Sequence, residues 1–190
     1  MKIGIWGDSI TYGSHDEEAL GWTGRLRKSL PFEGEHQLYN LGICGDTSED
    51  LLLRFEVEAS AIKPNKIIFA VGVNDSKFPN GSELNKVPFE DFEKNMKLLL
   101  GKAKKYSKDI TFIGLTRVID TLDSASAYKF LNSEIEKYDN FLKKLADENE
   151  SSYISVSGVV SPATDLVDGI HPNATGYQKM FEVIKSNLAL

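Results

Sequence analysis

The chain predicts an α/β fold built on a five-stranded, mostly parallel sheet, and three observations carry that expectation. Short β-branched and aromatic runs alternate with longer segments of helical period, the pattern of successive βαβ units. The run "IIFAVGV" is apolar throughout, as a strand covered on both faces must be. The segments after the runs are rich in Gly, Asp, Ser and Asn, residues that stop a strand and turn the chain.

The elements follow in order. The opening "KIGIW" predicts a first strand at residues 2–6, stopped by "GDSIT", and a helix at 22–30 ends before Pro31. "HQLYNLG" holds a second strand at 37–41. "TSEDLLLRFEVEAS" is a helix capped by Thr47 or Ser48, with acids in its first turn. The third strand, 66–71, is the apolar and so central one. After the loop "DSKFPNGSELNKVP" comes a helix at 89–104, where Phe92, Met96, Leu99 and Leu100 share a face. "DITFIGLT" supplies a fourth strand at 110–115, the polar stretch 117–130 leads to a helix at 133–147, and "SSYISVSG" supplies a fifth strand at 153–156. Asn173 caps a last helix in which Tyr177, Met180, Phe181 and Ile184 recur at helical spacing. With no repeat, low-complexity tract or linker, residues 1–190 read as one domain, long enough to bury a core without metal or disulfide staples.

Composition narrows the function classes. An apolar fraction of 41% and a charged fraction of 26% suit a water-soluble domain. No apolar run approaches the roughly 18 residues of a membrane span, and the absence of a charged-then-apolar leader predicts a cytoplasmic protein. With 22 basic against 28 acidic residues and no basic stripe, neither nucleic acid nor an anionic membrane is the expected partner; a small molecule is. The single cysteine, Cys44, excludes an internal disulfide and a multi-cysteine metal site, and the three histidines form no His-x-x-x-His pair, so no metal is expected.

Ligands of an open parallel sheet sit beyond the carboxyl ends of its strands. "GDSIT" follows strand one, "GICGDTS" strand two, "VGVNDS" strand three, and "VDGIHPN" lies after strand five, so parallel strands bring all four to one rim. Together they hold the parts for acyl transfer. A serine hydroxyl needs a base as it attacks, and His171 is the one histidine at the rim with a carboxylate close by, Asp168. Asp168 would hold the imidazole tautomer, and the oxyanion needs donors, for which the Ser9 N–H, the Gly45 N–H and the Asn74 side-chain amide are the candidates.

These four blocks resemble those of the SGNH hydrolases, the GDSL-type esterases and lipases, in the same order from Gly7 to Pro172. The resemblance implies a three-layer α/β/α, flavodoxin-like fold with strand order 2-1-3-4-5, and a serine esterase without metal or cofactor. It assigns Ser9 as nucleophile and donor, Gly45 and Asn74 as further donors, and Asp168 with His171 as the rest of a triad. Thioesterases and lysophospholipases share these blocks. Where the family's eponymous motif has Leu, this chain has Ile10, and Cys44 precedes Gly45.

Plainer readings stand beside these. "GDSIT" can be a strand-ending turn, with Asp8 fixing it through backbone bonds. Asp165 is a rival carboxylate for His171, Asp75 reads as structural, Cys44 as a small hydrophobe, and His15 and His36 as surface or loop residues. Asp8, Phe78, Arg117 and Tyr128 are the candidate substrate contacts, the last three on rim segments 76–87 and 117–130; for Arg117 a pairing with Asp120 is the favoured alternative. A non-catalytic flavin or nucleotide module fits the sheet but leaves Asp168 and His171 without a task.

Overall fold

In the computed structural model of the chain, which describes residues 1–31, 36–121 and 127–188, five parallel strands form one sheet. They are β1 (Lys2–Gly7), β2 (Gln37–Gly42), β3 (Lys66–Ala70), β5 (Asp109–Ile113) and β7 (Ser152–Ile154), in the order β2-β1-β3-β5-β7. Counted within the sheet this is the expected 2-1-3-4-5. Helices flank it in two sets: α2 (Gly21–Ser29) packs on α7 (Ala174–Asn187), and α3 (Ser48–Ile62) packs on α5 (Phe89–Ala103), which continues to α6 (Asn132–Asp147).

Strand β3 sits at the middle with Ile67, Ile68 and Phe69 buried, which is why its sequence shows no alternation. Trp6, Phe55, Phe69 and Phe112 stack around it. Each such side chain removed from water contributes roughly 1.5–3 kcal/mol. Helix α3 begins as its sequence indicates. The Thr47 hydroxyl accepts from the Asp50 N–H while the Asp50 carboxylate accepts from the Thr47 N–H, a reciprocal cap. Asn173 caps α7 by accepting from the Gly176 N–H.

Register positions the site. Gly7 of β1 pairs with Gly42 of β2 on one side and Ala70 of β3 on the other, so three strands end at one level and their following segments leave together. Gly42 is required there: a Cβ would come within 2.3 Å of the Tyr12 backbone nitrogen.

Two segments differ from expectation. The residues after β1 are not a bare turn but a single helical turn, α1 (Ser9–Tyr12), and those after β3 form another, α4 (Val73–Ser76). The rim segments also pair: β4 (Phe78–Pro79) and β6 (Tyr128–Lys129) make a two-stranded antiparallel ribbon. Strands of two residues are too short for alternation to reveal. Of rim segment 117–130, residues 122–126 lie outside the described residues.

Candidate active site

Ser9 is the first residue of α1. Asp8 caps that turn, its Oδ1 accepting from the Ile10 N–H at 2.9 Å, and this holds Ser9 above the end of β1. The Ser9 hydroxyl lies 2.8 Å from Nε2 of His171, 162 positions later in the chain. His171 arrives from the other side of the rim, in the turn before α7. Around it Leu166 bridges antiparallel to Pro172, and the Val167 N–H donates to the His171 carbonyl at 2.9 Å.

Asp168 organises that turn. Its Oδ1 accepts from the N–H groups of Ile170 (3.0 Å) and His171 (2.8 Å), leaving Oδ2 to meet His171 Nδ1 at 2.7 Å. Partial burial alone would raise the Asp168 carboxyl, but the two amides and the His171 ring outweigh it and bring it down to about 2. The carboxylate is therefore an acceptor at any working pH. It fixes the hydrogen on Nδ1, which turns Nε2 into an acceptor for the Ser9 hydroxyl. Asp165, the rival carboxylate, is occupied elsewhere: it accepts from the Ser161 N–H (2.8 Å) and the Lys179 ammonium (2.7 Å).

Gly45 and Asn74 line the same cleft of about 530 Å³ as Ser9 and His171. Gly45 has φ +87°, left-handed backbone that side-chain-bearing residues avoid. Asn74 is buried, and its Nδ2 donates one hydrogen to the Asp46 carbonyl at 3.2 Å. Asp75 next to it is structural: it accepts from the Ser48 N–H (2.9 Å) and the Ser48 hydroxyl (2.5 Å), tying α4 to the start of α3.

Of the candidate substrate contacts, Tyr128 and Asp8 line the cleft and two others do not. Arg117 is exposed on a separate cavity beside α6 with Asn132 and Asp139, and Asp120 binds Asn132 (2.7 Å) rather than Arg117. Phe78 lies on the β4–β6 ribbon beneath Lys129. Spacing along a loop does not show which side a residue faces: Phe78 is carried by the ribbon, whereas Arg117 lies outside it, beside α6.

Three cleft residues gave no clear signal in sequence. His15 is exposed, as expected, and at the edge of the cleft it stacks on His171 with ring centroids 4.7 Å apart and sets Nε2 3.6 Å from Asp168 Oδ2. Together His15, Asp168 and His171 offer ligand-type atoms within 4.8 Å of one another, although Asp168 and His171 are already engaged with each other and with Ser9. The loop carrying His15 is pinned by a buried Asp16–Arg25 pair, with Arg25 also donating to the Ala174 carbonyl at the start of α7. Cys44 is exposed and within 3.1 Å of the Ser14 hydroxyl, not buried. Lys77 is the third.

Burial raises the Asp8 carboxyl from 3.8 to about 7, the Ile10 amide offsetting only part of the effect. Between these values folded protein holds a proton that unfolded chain has released. The Asp8 contribution to stability is thus complete below about pH 4 and lost as pH rises through 7. Asp8→Asn keeps the capping oxygen without the charge. It is expected to gain stability over the wild type as pH goes from 5 to 8, measured as the widening gap between the two denaturant midpoints.

With the geometry established, comparison with known proteins places the chain. The model of the GDSL-like lipase/acylhydrolase family matches residues 5–179. The chain belongs to this family. A multidomain esterase from Ruminococcus flavefaciens is 27% identical over 95% of the chain, which spans only 27% of that protein's length. An acetylxylan esterase from Geobacillus stearothermophilus is 24% identical, covering 93% of the chain and 91% of the relative. The solved structure of an acetylxylan esterase from Geobacillus stearothermophilus superposes with a TM-score of 0.80 at 21% identity, over 100% of this chain and 94% of that one. An alpha/beta hydrolase enzyme from the metagenome of Lake Arreo gives 0.79 at 22% identity, over 97% and 93%. This GDSL-family chain is thus an ester-hydrolysing enzyme by class, on the SGNH hydrolase fold. No helix among its described residues is long and apolar enough to cross a membrane.

Proposed function

We propose that this GDSL-family chain is a serine esterase for short acyl groups, working through Ser9, His171 and Asp168. The observation that carries the reading is the continuous relay from Ser9 Oγ to His171 Nε2 (2.8 Å) and from His171 Nδ1 to Asp168 Oδ2 (2.7 Å). Ser9 Oγ attacks the ester carbonyl carbon as its proton passes to Nε2, and the carbonyl electrons move onto oxygen. The imidazolium gives that proton to the departing alkoxide, leaving an acyl-serine. Water then attacks, its proton going to His171, and collapse returns the proton to Ser9 as the carboxylic acid leaves.

The oxyanion in both halves requires donors. The N–H groups of Ser9 and Gly45 make no hydrogen bond among the described residues, and Asn74 Nδ2 retains one hydrogen beyond that given to Asp46. These three fit the requirement. Asn74→Ala is expected to lower kcat by about 10²–10³-fold with little change in KM, because the bond strengthens only as charge develops. Steady-state kinetics on p-nitrophenyl acetate would check it.

The acetylxylan esterase among the relatives favours acetyl and other short chains on a bulky alcohol, and makes acetylated saccharides the first natural class to try. The decisive experiment pairs a fluorophosphonate probe with an acyl-chain-length series. Labelling at Ser9 and a rate falling from acetyl to longer chains are expected. A wild-type protein that neither labels nor cleaves any aryl ester would overturn the reading.

A further inference from the structure

Lys77 is an unusual occupant of this cleft. Its side chain is buried, 7% exposed, and its ammonium forms no ion pair among the described residues. Nζ instead donates to Oδ1 of Asn74 at 2.9 Å and sits 3.9 Å from the centre of the Tyr128 ring, with the Phe130 ring 5.8 Å away. An ammonium placed so costs desolvation, and one neutral amide, two aromatic faces and the attraction of the Asp8 and Asp75 carboxylates recover only part of that. A core need alone would be met better by Met or Leu at this position.

We propose that Lys77 is a positioning residue for the oxyanion hole, clamping and polarising the carboxamide of Asn74; this rests on the assignment of Asn74 as an oxyanion donor. The chemistry of the contacts dictates the direction. The two ends of an Asn side chain are nearly the same size and differ only in donor and acceptor character. An ammonium has donors only, so it must face Oδ1. The Asp46 carbonyl is an acceptor only, so it must face Nδ2. Read from both ends, the amide has a single orientation, with one Nδ2 hydrogen left for the substrate. The ammonium also draws electron density through the amide, which strengthens Nδ2–H as a donor in a cleft of low polarity. The Tyr128 ring from the β4–β6 ribbon covers the ammonium, linking the ribbon to the site.

The test is a double-mutant cycle between Lys77 and Asn74, read on p-nitrophenyl acetate. Lys77→Met is expected to lower kcat by about 10–100-fold while KM changes by less than about 3-fold, as for an interaction expressed in the transition state. In an Asn74→Ala background the same substitution is expected to change kcat by less than about 3-fold, since the group it acts through is gone. Lys77→Arg, which keeps a cationic donor, is expected to recover a part of kcat that Lys77→Gln does not. An equal loss in both backgrounds would overturn the role, and so would a Lys77→Met enzyme with kcat within about 3-fold of wild type. Melting temperature is followed for each variant; if Lys77→Met fails to fold, the Arg and Gln variants carry the cycle. Failure of the wild type to react with fluorophosphonate would strike the serine-esterase reading itself, whereas an active, labelled wild type with an indifferent Lys77 strikes only this inference.

Discussion

Ser9→Ala is expected to lower kcat on p-nitrophenyl acetate by on the order of 10⁵-fold and to abolish fluorophosphonate labelling, with folding unaffected. The size follows from the geometry. Ser9 Oγ is the only hydroxyl at hydrogen-bond distance from His171 Nε2 among the described residues, so no neighbour can take over the attack. The residual rate would come from the oxyanion donors acting on bound ester and water. Ser9 follows the capping residue of α1 and its own side chain makes no contact that holds the turn; that work belongs to Asp8. A melting temperature near that of the wild type is therefore part of the expectation. Retention of more than about one-hundredth of wild-type kcat would transfer the nucleophile's role elsewhere.

Asp168→Asn is the second large effect, about 10⁴-fold in kcat. The carboxylate accepts from His171 Nδ1 and so keeps Nε2 free of hydrogen. An asparagine can present its NH₂ to Nδ1, which moves the hydrogen to Nε2 and removes the base facing Ser9. Its carbonyl oxygen can still accept from the amides of Ile170 and His171, so the turn survives and the loss lies in chemistry. The pH profile supplies a second readout. With its carboxyl held at about 2, Asp168 stays ionised across the accessible range and does not set the acidic limb of kcat/KM. The same depression stabilises the fold above the ordinary carboxylate value of 3.8, a contribution lost as pH falls through about 2. Asp168→Asn is thus expected to narrow the stability difference from wild type towards low pH, as measured by denaturant titration at pH 6 and pH 3.

The sheet was readable because its determinants are local. An apolar run in β3 calls for cover on both faces, and Thr47 with Asp50 marks where α3 begins, whatever the rest of the chain does. The relay Ser9–His171–Asp168 was readable in part for the same reason: Asp168 and His171 share one turn, and parallel strands end on one rim. The ribbon β4–β6 was not, because two-residue strands leave no periodicity, and with it went the placement of Phe78. His15 and Lys77 escaped too. An exposed histidine in a loop, or a lysine after an Asn-Asp-Ser turn, carries no pattern that separates a neighbour of the site from a surface group remote from it.

The amino-acid order by itself determined the alternation of strands and helices, the caps, the four polar blocks and the family to which they belong, since each depends on residues close together in the chain. Only the tertiary structure decided that Ser9 meets His171, that His15 stacks behind it, and that the ammonium of Lys77 holds Asn74. Those meetings depend on strand register and on the path of loops between elements. Both are settled by packing over the whole chain, where burial of distant side chains together sets distances that no local pattern records.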